Sequence, residues 1–311
     1  MHQGQSRDAH QETHPLPTLQ QIDAQMHRAM AATRAKGIAI AVIDKGQVAY
    51  VRSYGSRNAA GAPLELDSIM YGASLTKTAF AYLVLQLVDR GILDLDRSIA
   101  QYLPKPLPDY NDPEIGERYA RWSDLVGDDR WRKLTPRLLL NHASGFSNFG
   151  FLETDGKLKF HFDPGTRYSY SGDGIILLQF VLEKGLGLNV GEEMQKGIFD
   201  ALGMKNTSLI WRRDFNGRTA DGWSIDGKAV PHDDRSKVRA AGSMDTTISD
   251  IARLAAALAR GDLVSSAARE LSNGSPIGTE NPLARRRNRT NRWTRAAGAP
   301  LATSLARRSV L

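Results

Sequence analysis

Residues 74–89 form the most apolar helix-favouring segment of the chain, and the segment begins with a serine and a lysine three positions apart, Ser74-Leu-Thr-Lys77. Side chains three positions apart lie on the same face of a helix, so the two are predicted to be within reach of each other. This is the only such serine–lysine pair in the sequence. By itself the spacing is also compatible with an ordinary helix start that carries a solvated lysine.

A serine with such a lysine beside it has the chemistry of an activated nucleophile. The serine hydroxyl is a poor nucleophile at neutral pH and needs an adjacent base. A lysine in a partly desolvated pocket can accept the proton, or it can polarise the hydroxyl as a cation. The free N–H groups at the start of a helix also favour negative charge on a substrate carbonyl oxygen. Ser74 and Lys77 are therefore candidate catalytic residues.

The rest of the chain combines one predicted hairpin with many predicted helices. Apolar residues recur at helical spacing from residue 19 to residue 30, and residues 38–43 and 47–54 form two strands around a turn. Residues 103–129 are rich in Pro, Asp and Gly and are predicted to be mostly loop. Further helices are predicted near residues 136–141, 173–183, 190–202 and 247–260. This order of elements predicts an α+β fold.

Composition and charge exclude several functions. The chain has no cysteine, so disulfides, zinc–cysteine sites and cysteine nucleophiles are excluded. Eight of the 41 basic residues are arginines beyond Glu280, which leaves 33 basic against 34 acidic residues in the body of the chain. A surface that tracks nucleic-acid phosphates should be spread over a folded domain, so no specific nucleic-acid partner is expected. The histidines are not at metal-binding spacings and no Gly-rich phosphate loop is present, so no metal or cofactor is expected.

The two ends of the chain differ from its middle. Residues 1–17 are polar, are predicted to be flexible, and contain no apolar run of the length that a secretory signal needs. No stretch reaches the roughly 20 apolar residues of a membrane span. We therefore expect a cytoplasmic protein, or a periplasmic or secreted one if the natural start differs. Residues 273–311 form an Arg-rich tail that we expect to be disordered, and we interpret the change of composition near residue 275 as a shifted frame or an alternative terminus.

Four further segments resemble those of one enzyme family, and they occur in the family's order. Residues 164–172, Pro-Gly-Thr-Arg-Tyr-Ser-Tyr-Ser-Gly, resemble the segment with the second catalytic motif of class C β-lactamases and their esterase and peptidase relatives. Residues 134–146 resemble the helix and loop that end in His-x-Ser-Gly. Residues 240–250 resemble the glycine turn and the helix after it, and residues 201–207 also match. With the Ser-x-x-Lys pattern, the chain is identified as a member of the serine β-lactamase and penicillin-binding-protein superfamily.

The resemblance implies a fold and a domain organisation. Residues 18–272 would form a β-lactamase/transpeptidase-like domain of the α+β class, in which an antiparallel sheet is flanked by helices. A mainly helical insertion would occupy roughly residues 97–235. In the family, several central strands follow the region matched here, and no aromatic-rich strands follow it in this sequence. We therefore expect the C-terminal strands of the sheet to be missing, as in a chain altered or truncated at its C-terminus.

The resemblance also implies roles for three residues. Ser74 would form the acyl-enzyme. Tyr170 would act beside Lys77 and Ser74, first as a general base and later as a proton donor. A phenol is a weak acid in water, so the neighbouring ammonium must stabilise the phenolate, or the two groups must share the proton. Tyr168 is expected to be the core residue of the tyrosine pair, and His142 is expected to be structural and not a base.

The sequence departs from the family pattern at two points. The family has Tyr-x-Asn where this chain has Tyr170-Ser-Gly172, and the lost Asn implies weaker recognition of β-lactam or peptide amides. The third motif, Lys- or His-x-Gly, is absent, because no His follows His232 and no Lys follows Lys237. In the family, that strand supplies the second N–H to the substrate oxyanion. Loss of one such donor typically lowers the rate by about 10²–10³.

These observations predict a serine hydrolase that acts through an acyl-enzyme on Ser74, on an ester or amide bond of a small molecule, a β-lactam or a D-amino-acid peptide. Esters become more plausible because they demand fewer amide contacts. The alternative is a catalytically inactive β-lactamase-fold binding protein, which the missing third motif favours. A further alternative is salt-sensitive binding of nucleic acid or anionic lipid through residues 281–311. The sequence leaves the oligomeric state open.

Overall fold

The computed structural model describes residues 17–273. The segments predicted to be a flexible N-terminal stretch, 1–17, and an Arg-rich disordered tail, 273–311, lie outside the described residues except for their innermost positions. In chain order, the helices are α1 (Leu19–Thr33), α2 (Thr76–Asp89), α3 (Pro113–Arg118), α4 (Pro136–Leu140), α5 (Gly172–Phe180), α6 (Val190–Met194), α7 (Ile248–Arg260) and α8 (Ser266–Asn273).

The strands of residues 17–273 pair as three two-stranded antiparallel sheets. They are β1 (Gly37–Asp44), β2 (Gln47–Gly55), β3 (Met70–Tyr71), β4 (Gly222–Trp223), β5 (Ala229–Val230) and β6 (Asp245–Thr246). β1 pairs with β2, β3 with β6, and β4 with β5. The α+β architecture predicted from the sequence is confirmed, because the described residues combine helices with small antiparallel sheets.

The predicted hairpin is confirmed, and its turn has a local cause. Lys45 and Gly46 have φ angles of 47° and 75°. Two successive residues in the left-handed region make the tight hairpin turn whose twist matches that of the strands. The Gly46 carbonyl accepts a hydrogen bond from Arg260 Nη1 at 2.5 Å, and α7 packs along both β1 and β2. An isolated hairpin is only marginally stable. Here α7, a helix late in the chain, covers the hairpin and stabilises it.

Most predicted helices are confirmed, with differences at their ends. π-helical turns extend α5 through residues 181–185 and α6 through residues 195–200. Residues 103–129 are largely loop as predicted, although they also contain α3 and several 3₁₀ turns. α8 was not predicted, because residues 266–273 are few and mostly polar.

α5 is the buried centre of the helical region. All nine of its residues are buried, and it packs in one apolar cluster with residues of α2. Phe180 at its end contacts the rings of Tyr110, Tyr119 and Trp122 at centroid distances of 4.9–5.5 Å. Apart from Asp173 and Gln179 this helix is apolar, and such a helix must be enclosed. It therefore places the residues that precede it, including Tyr170, against a fixed support.

A buried carboxylate joins α7 to the loop after α6. Asp250 is fully buried. Its carboxylate accepts hydrogen bonds from Asn206 N–H at 2.8 Å, Thr207 Oγ1 at 2.9 Å and Arg253 Nη1 at 2.7 Å. Its own N–H is capped by Thr247 Oγ1 at 3.2 Å. The Asn206 N–H takes its acceptor from the Asp250 side chain, and Thr207 Oγ1 is shared between this carboxylate and Thr246 Oγ1 at 2.8 Å.

We predict that Asp250→Ala lowers the free energy of unfolding by about 2–4 kcal/mol, because it removes the acceptor of the partly buried Asn206 N–H and one of the two partners of the buried Thr207 hydroxyl. Urea denaturation measures the change. Glu114→Ala, on the exposed side of α3, is the control and should change stability by no more than about 0.5 kcal/mol. Equal effects of the two substitutions would show that the network carries no stability.

No single helix among the described residues is long and apolar enough to cross a membrane. One pair of helical segments, Gly172–Gly185 with Val190–Asp200, meets the length and composition requirement only when its two members are combined, and they are bent by 107°.

Candidate active site

Ser74 lies in a strained turn between a short strand and the long apolar helix. A 3₁₀ turn, Ala73–Leu75, separates β3 from α2. Ala73 has a φ of 42°, a left-handed conformation that costs a residue with a Cβ roughly 1–2 kcal/mol. Ser74 is exposed at the tip of this turn. Its backbone N–H belongs to the first turn of the helical segment, where N–H groups lack an intrahelical acceptor.

Contacts with residues 244–246 hold the strained turn in place. β3 pairs with β6, with Met70 opposite Thr246, and Gly72 N–H donates to the Met244 carbonyl at 2.8 Å. The buried Thr76 hydroxyl donates to the Ala73 carbonyl at 2.5 Å and accepts from Met244 N–H at 3.0 Å. The position of Ser74 thus depends on a segment about 170 residues away in the chain.

The structure brings the three predicted catalytic residues together. Lys77 Nζ donates to Ser74 Oγ at 3.0 Å, and the Tyr170 hydroxyl donates to the same oxygen at 2.7 Å. Lys77 is buried and also donates to the Ala241 carbonyl at 2.5 Å. Its ammonium lies 5.0 Å from the centre of the Tyr170 ring. A nucleophile within hydrogen-bond reach of two groups that exchange protons is the arrangement that nucleophilic catalysis requires.

The ring of His142 lies against the ring of Tyr170. Its ring lies 4.6 Å from the Tyr170 ring, and its Nδ1 accepts the Ser171 N–H at 3.2 Å. Burial, and then the positive charge of Lys77, lowers the pKa of His142 to about 4. The imidazole is therefore neutral at physiological pH, with Nδ1 occupied as an acceptor. These contacts fit the interpretation of His142 as structural.

The prediction that Tyr168 is a core residue is wrong. Its side chain is 46% exposed. The His142 ring contacts the rings of both Tyr168 and Tyr170, at 5.9 Å and 4.6 Å, so both tyrosines face the site. Tyr168 is at the outer end of this row of rings. Burial could not be read from the segment alone, because both residues are tyrosines two positions apart.

The place of the family's Asn is filled by residues from another loop. A Cβ on Gly172 would lie 2.2 Å from Cε1 of Phe149 and 3.1 Å from Oδ1 of Asn148. Asn148 Oδ1 accepts the Gly172 N–H at 3.0 Å, and the Asn148 carbonyl accepts the N–H groups of Gly172 and Asp173 at 2.8 and 3.0 Å. Sequence reasoning missed both Asn148 and Phe149. The only signal for them was their position directly after the His-x-Ser-Gly segment.

Asp173 is a buried carboxyl group beside the site. It is 3% exposed, and its Oδ2 accepts the Gly150 N–H at 2.6 Å. Burial raises the pKa of Asp173 to about 6, against the opposing effects of the Gly150 hydrogen bond and the positive charge of Arg239. The bond to Gly150 anchors the loop that carries Asn148 and Phe149.

We predict that Asp173→Asn removes a pH dependence of stability. The folded-state pKa lies above the ordinary value of 3.8, so the folded protein binds this proton more tightly than the unfolded chain. Stability is therefore lost as the pH rises from about 4 through about 6, by up to about 3 kcal/mol at full ionisation. Asparagine keeps an acceptor for Gly150 N–H and never ionises.

Urea denaturation at pH 5 and pH 8 tests this directly. The variant should gain stability relative to the natural chain at pH 8 by more than it does at pH 5. A difference between the two proteins that is the same at both pH values would contradict the raised pKa.

A cationic group also lies close to the strand before Ser74. The Arg235 guanidinium lies 3.5 Å from the centre of the Tyr71 ring and is paired with the buried Asp245 at 3.0 Å. His232 Nε2 lies 3.1 Å from the same carboxylate oxygen. This cluster was not predicted, because His232 and Arg235 lie between the segments 201–207 and 240–250 that resemble the family. Within residues 17–273, no three His, Asp or Glu side chains are grouped so as to hold a metal ion.

The fold and the site define a protein of the β-lactamase and penicillin-binding-protein class. The sequence model of the family described as Beta-lactamase matches residues 22–304. This match covers most of the chain, and the chain therefore belongs to the Beta-lactamase family, whose members include serine hydrolases.

Named relatives of the chain have several activities. A lovastatin esterase of Penicillium rubens is 26% identical over 228 residues, which are 64% of this chain and 56% of that protein. Putative beta-lactamase-like 1 of Homo sapiens is 29% identical over 265 residues, 80% of this chain and 52% of that protein. The chain thus spans little more than half the length of these relatives.

A solved structure agrees in fold. D-alanine carboxypeptidase AmpC from Burkholderia cenocepacia superposes with a TM-score of 0.62 at 22% identity, over 81% of this chain and 67% of that chain. At this identity the likeness concerns the fold alone. The family resemblance inferred from the sequence is confirmed, while the catalytic roles of Ser74, Lys77 and Tyr170 stay predictions that the geometry supports.

Proposed function

We propose that the chain is a serine hydrolase that cleaves small esters through an acyl-enzyme on Ser74. The observation that carries the proposal is the pair of hydrogen bonds at Ser74 Oγ, from Lys77 Nζ at 3.0 Å and from the Tyr170 hydroxyl at 2.7 Å. An exposed serine with two such partners is held ready for attack on a carbonyl carbon that approaches from solvent.

In the acylation step, Ser74 Oγ forms a bond to the ester carbonyl carbon. Its proton passes to Tyr170 and Lys77, which exchange protons with each other. Before this step, the pair must hold one proton fewer than its fully protonated form. The carbonyl electrons move to the oxygen, where the N–H of Ser74 is placed to stabilise them. The carbon–oxygen bond to the alcohol then breaks, and the alkoxide takes the proton from the pair and leaves as alcohol.

Deacylation repeats these steps with water. Water attacks the acyl carbon of the Ser74 ester and gives its proton to the Tyr170 and Lys77 pair. The bond to Ser74 Oγ breaks, the acid leaves, and the proton returns to Ser74 Oγ. The buried contact between Lys77 and the Ala241 carbonyl keeps the ammonium aimed at the serine throughout.

The preference for esters rests on residue 172 and on the relatives. Glycine at position 172 supplies no side-chain amide for a substrate amide, and an ester needs no such partner. The lovastatin esterase relative is named for ester cleavage. The carboxypeptidase of similar fold is named for D-alanine release, so peptides and β-lactams are the substrates to compare with esters.

A second candidate function is binding without catalysis. The sequence has no His after position 232 and no Lys after position 237, so the family's third motif, with its second oxyanion donor, is absent. Such a protein would bind the same class of small molecule and leave it unchanged.

We predict that a fluorophosphonate probe adds once to the natural chain and not to Ser74→Ala, as seen by intact-mass spectrometry. Tyr170→Phe should slow both labelling and ester hydrolysis by about 10²–10³, because it removes only the proton-transferring oxygen. Tyr50→Phe, which removes a hydroxyl on the distant strand β2, is the matched control and should leave both rates within about threefold.

The same preparations are then compared on p-nitrophenyl acetate, benzylpenicillin and a D-alanyl-D-alanine peptide. The proposal expects the acetate to be turned over with the highest kcat/KM. Absence of an adduct on a chain shown to be folded would overturn the hydrolase proposal and favour the binding protein.

A further inference from the structure

Aromatic rings line one side of the site next to the proposed nucleophile. In relatives with Tyr-x-Asn, an asparagine occupies this side. Ser171 has φ −136° and ψ 116°, an extended conformation. In an extended segment, residues two apart point to the same face. A side chain at position 172 would therefore point to the side of Tyr170, whose hydroxyl contacts Ser74 Oγ.

The ring of Phe149 occupies that direction. Two of its ring atoms, Cε1 and Cζ, lie 2.2 and 2.3 Å from the place of a Cβ on Gly172. No side chain at position 172 fits without displacement of the ring. The place of a side chain at position 172 is thus occupied by the Phe149 ring, with the Asn148 amide oxygen 3.1 Å from the same point.

The apolar surface continues from Phe149 to solvent. Phe151 stacks on Phe149 with ring centres 5.1 Å apart and an angle of 20° between the planes, and Phe151 is 70% exposed. Both rings also line a cavity of about 670 Å³ next to the site, whose walls combine apolar residues such as Leu158 with charged ones such as Asp173 and Arg239; Ser74, Lys77 and Tyr170 are not among its lining residues. A large exposed aromatic side chain in contact with a cavity indicates a binding surface more than a solvated loop.

The backbone under these rings is held rigidly. Asn148 accepts the N–H groups of Gly172 and Asp173, and Asp173 accepts the N–H of Gly150. Both anchors lie at the start of the fully buried helix α5. The aromatic surface is therefore presented in a fixed position relative to Tyr170, which reduces the entropic cost of binding.

We propose that Phe149 and Phe151 form the specificity subsite of the esterase, which binds a flat apolar group of the ester by ring stacking. The inference rests on the proposed function for the identity of the substrate as an ester. It adds that aromatic esters are preferred over small aliphatic ones. The flat group can belong either to the acyl part or to the alcohol part of the ester, since both extend from the carbonyl carbon at Ser74.

Binding is measured in the Ser74→Ala background, so that the result is independent of turnover. The ligands are methyl acetate as reference, methyl phenylacetate for a ring on the acyl side, and benzyl acetate for a ring on the alcohol side. Dissociation constants come from ligand-observed NMR titration. At least one aromatic ester should bind about tenfold more tightly than methyl acetate, and the ester that does so identifies the side of the substrate in the subsite.

Phe151→Ala and Phe151→Leu are then added to Ser74→Ala. Phe151 is mostly exposed, so both variants are expected to fold, and thermal denaturation verifies this. Phe151→Ala should weaken binding of the preferred aromatic ester by about 2- to 12-fold, the range for one aromatic pair, and binding of methyl acetate by less than twofold. Phe151→Leu should lose most of the same preference, because it stays apolar and is no longer flat.

Val126→Ala is the matched control, because Val126 is also exposed, at 71%, and does not line the cavity. It should leave every dissociation constant unchanged. Equal binding of aromatic and aliphatic esters would overturn the subsite, as would a loss in Val126→Ala equal to that in Phe151→Ala. Failure of the hydrolase proposal is seen separately, as a missing probe adduct on the chain with Ser74 intact.

Discussion

The buried ammonium of Lys77 joins the parts of the structure that form the site. It donates to Ser74 Oγ on its own helix segment and to the Ala241 carbonyl 164 residues further along the chain. A buried cation with too few acceptors would be costly, so α2 and the turn after residue 240 must lie next to each other. The pairing of β3 with β6 and the bridge made by the Thr76 hydroxyl join the same two parts of the chain.

This arrangement explains why a strained residue is tolerated beside the serine. The left-handed conformation of Ala73 is unfavourable for a residue with a Cβ, and such strain persists only where the surroundings determine it. Here the Thr76 hydroxyl donates a hydrogen bond to the Ala73 carbonyl. The Met244 carbonyl accepts the Gly72 N–H, and the Met244 N–H donates to the Thr76 hydroxyl. The result places Ser74 at an exposed tip while its two hydrogen-bond partners stay ordered.

The site also shows how the surrounding residues fill the space left by Gly172, which stands where the family has Asn. Without a side chain at position 172, the Phe149 ring lies against the backbone, and the Asn148 amide oxygen accepts the Gly172 N–H. Residue 172 loses its amide, and the adjacent loop supplies an aromatic surface. The proposed preference for esters, and for aromatic ones, has this single structural origin.

The sequence by itself determined the hairpin, most helices and the pair Ser74 and Lys77, because each depends on local periodicity or on spacing within one helical turn. It indicated the family through four ordered segments that resemble it. It indicated Tyr170 only through resemblance, since 96 residues separate it from Ser74. Tertiary structure alone decided that Tyr168 is exposed, that Ala241 receives the lysine, and that Phe149 fills the space at Gly172. These depend on which distant segments pack together, and no local pattern of residues encodes the shape of the space between them.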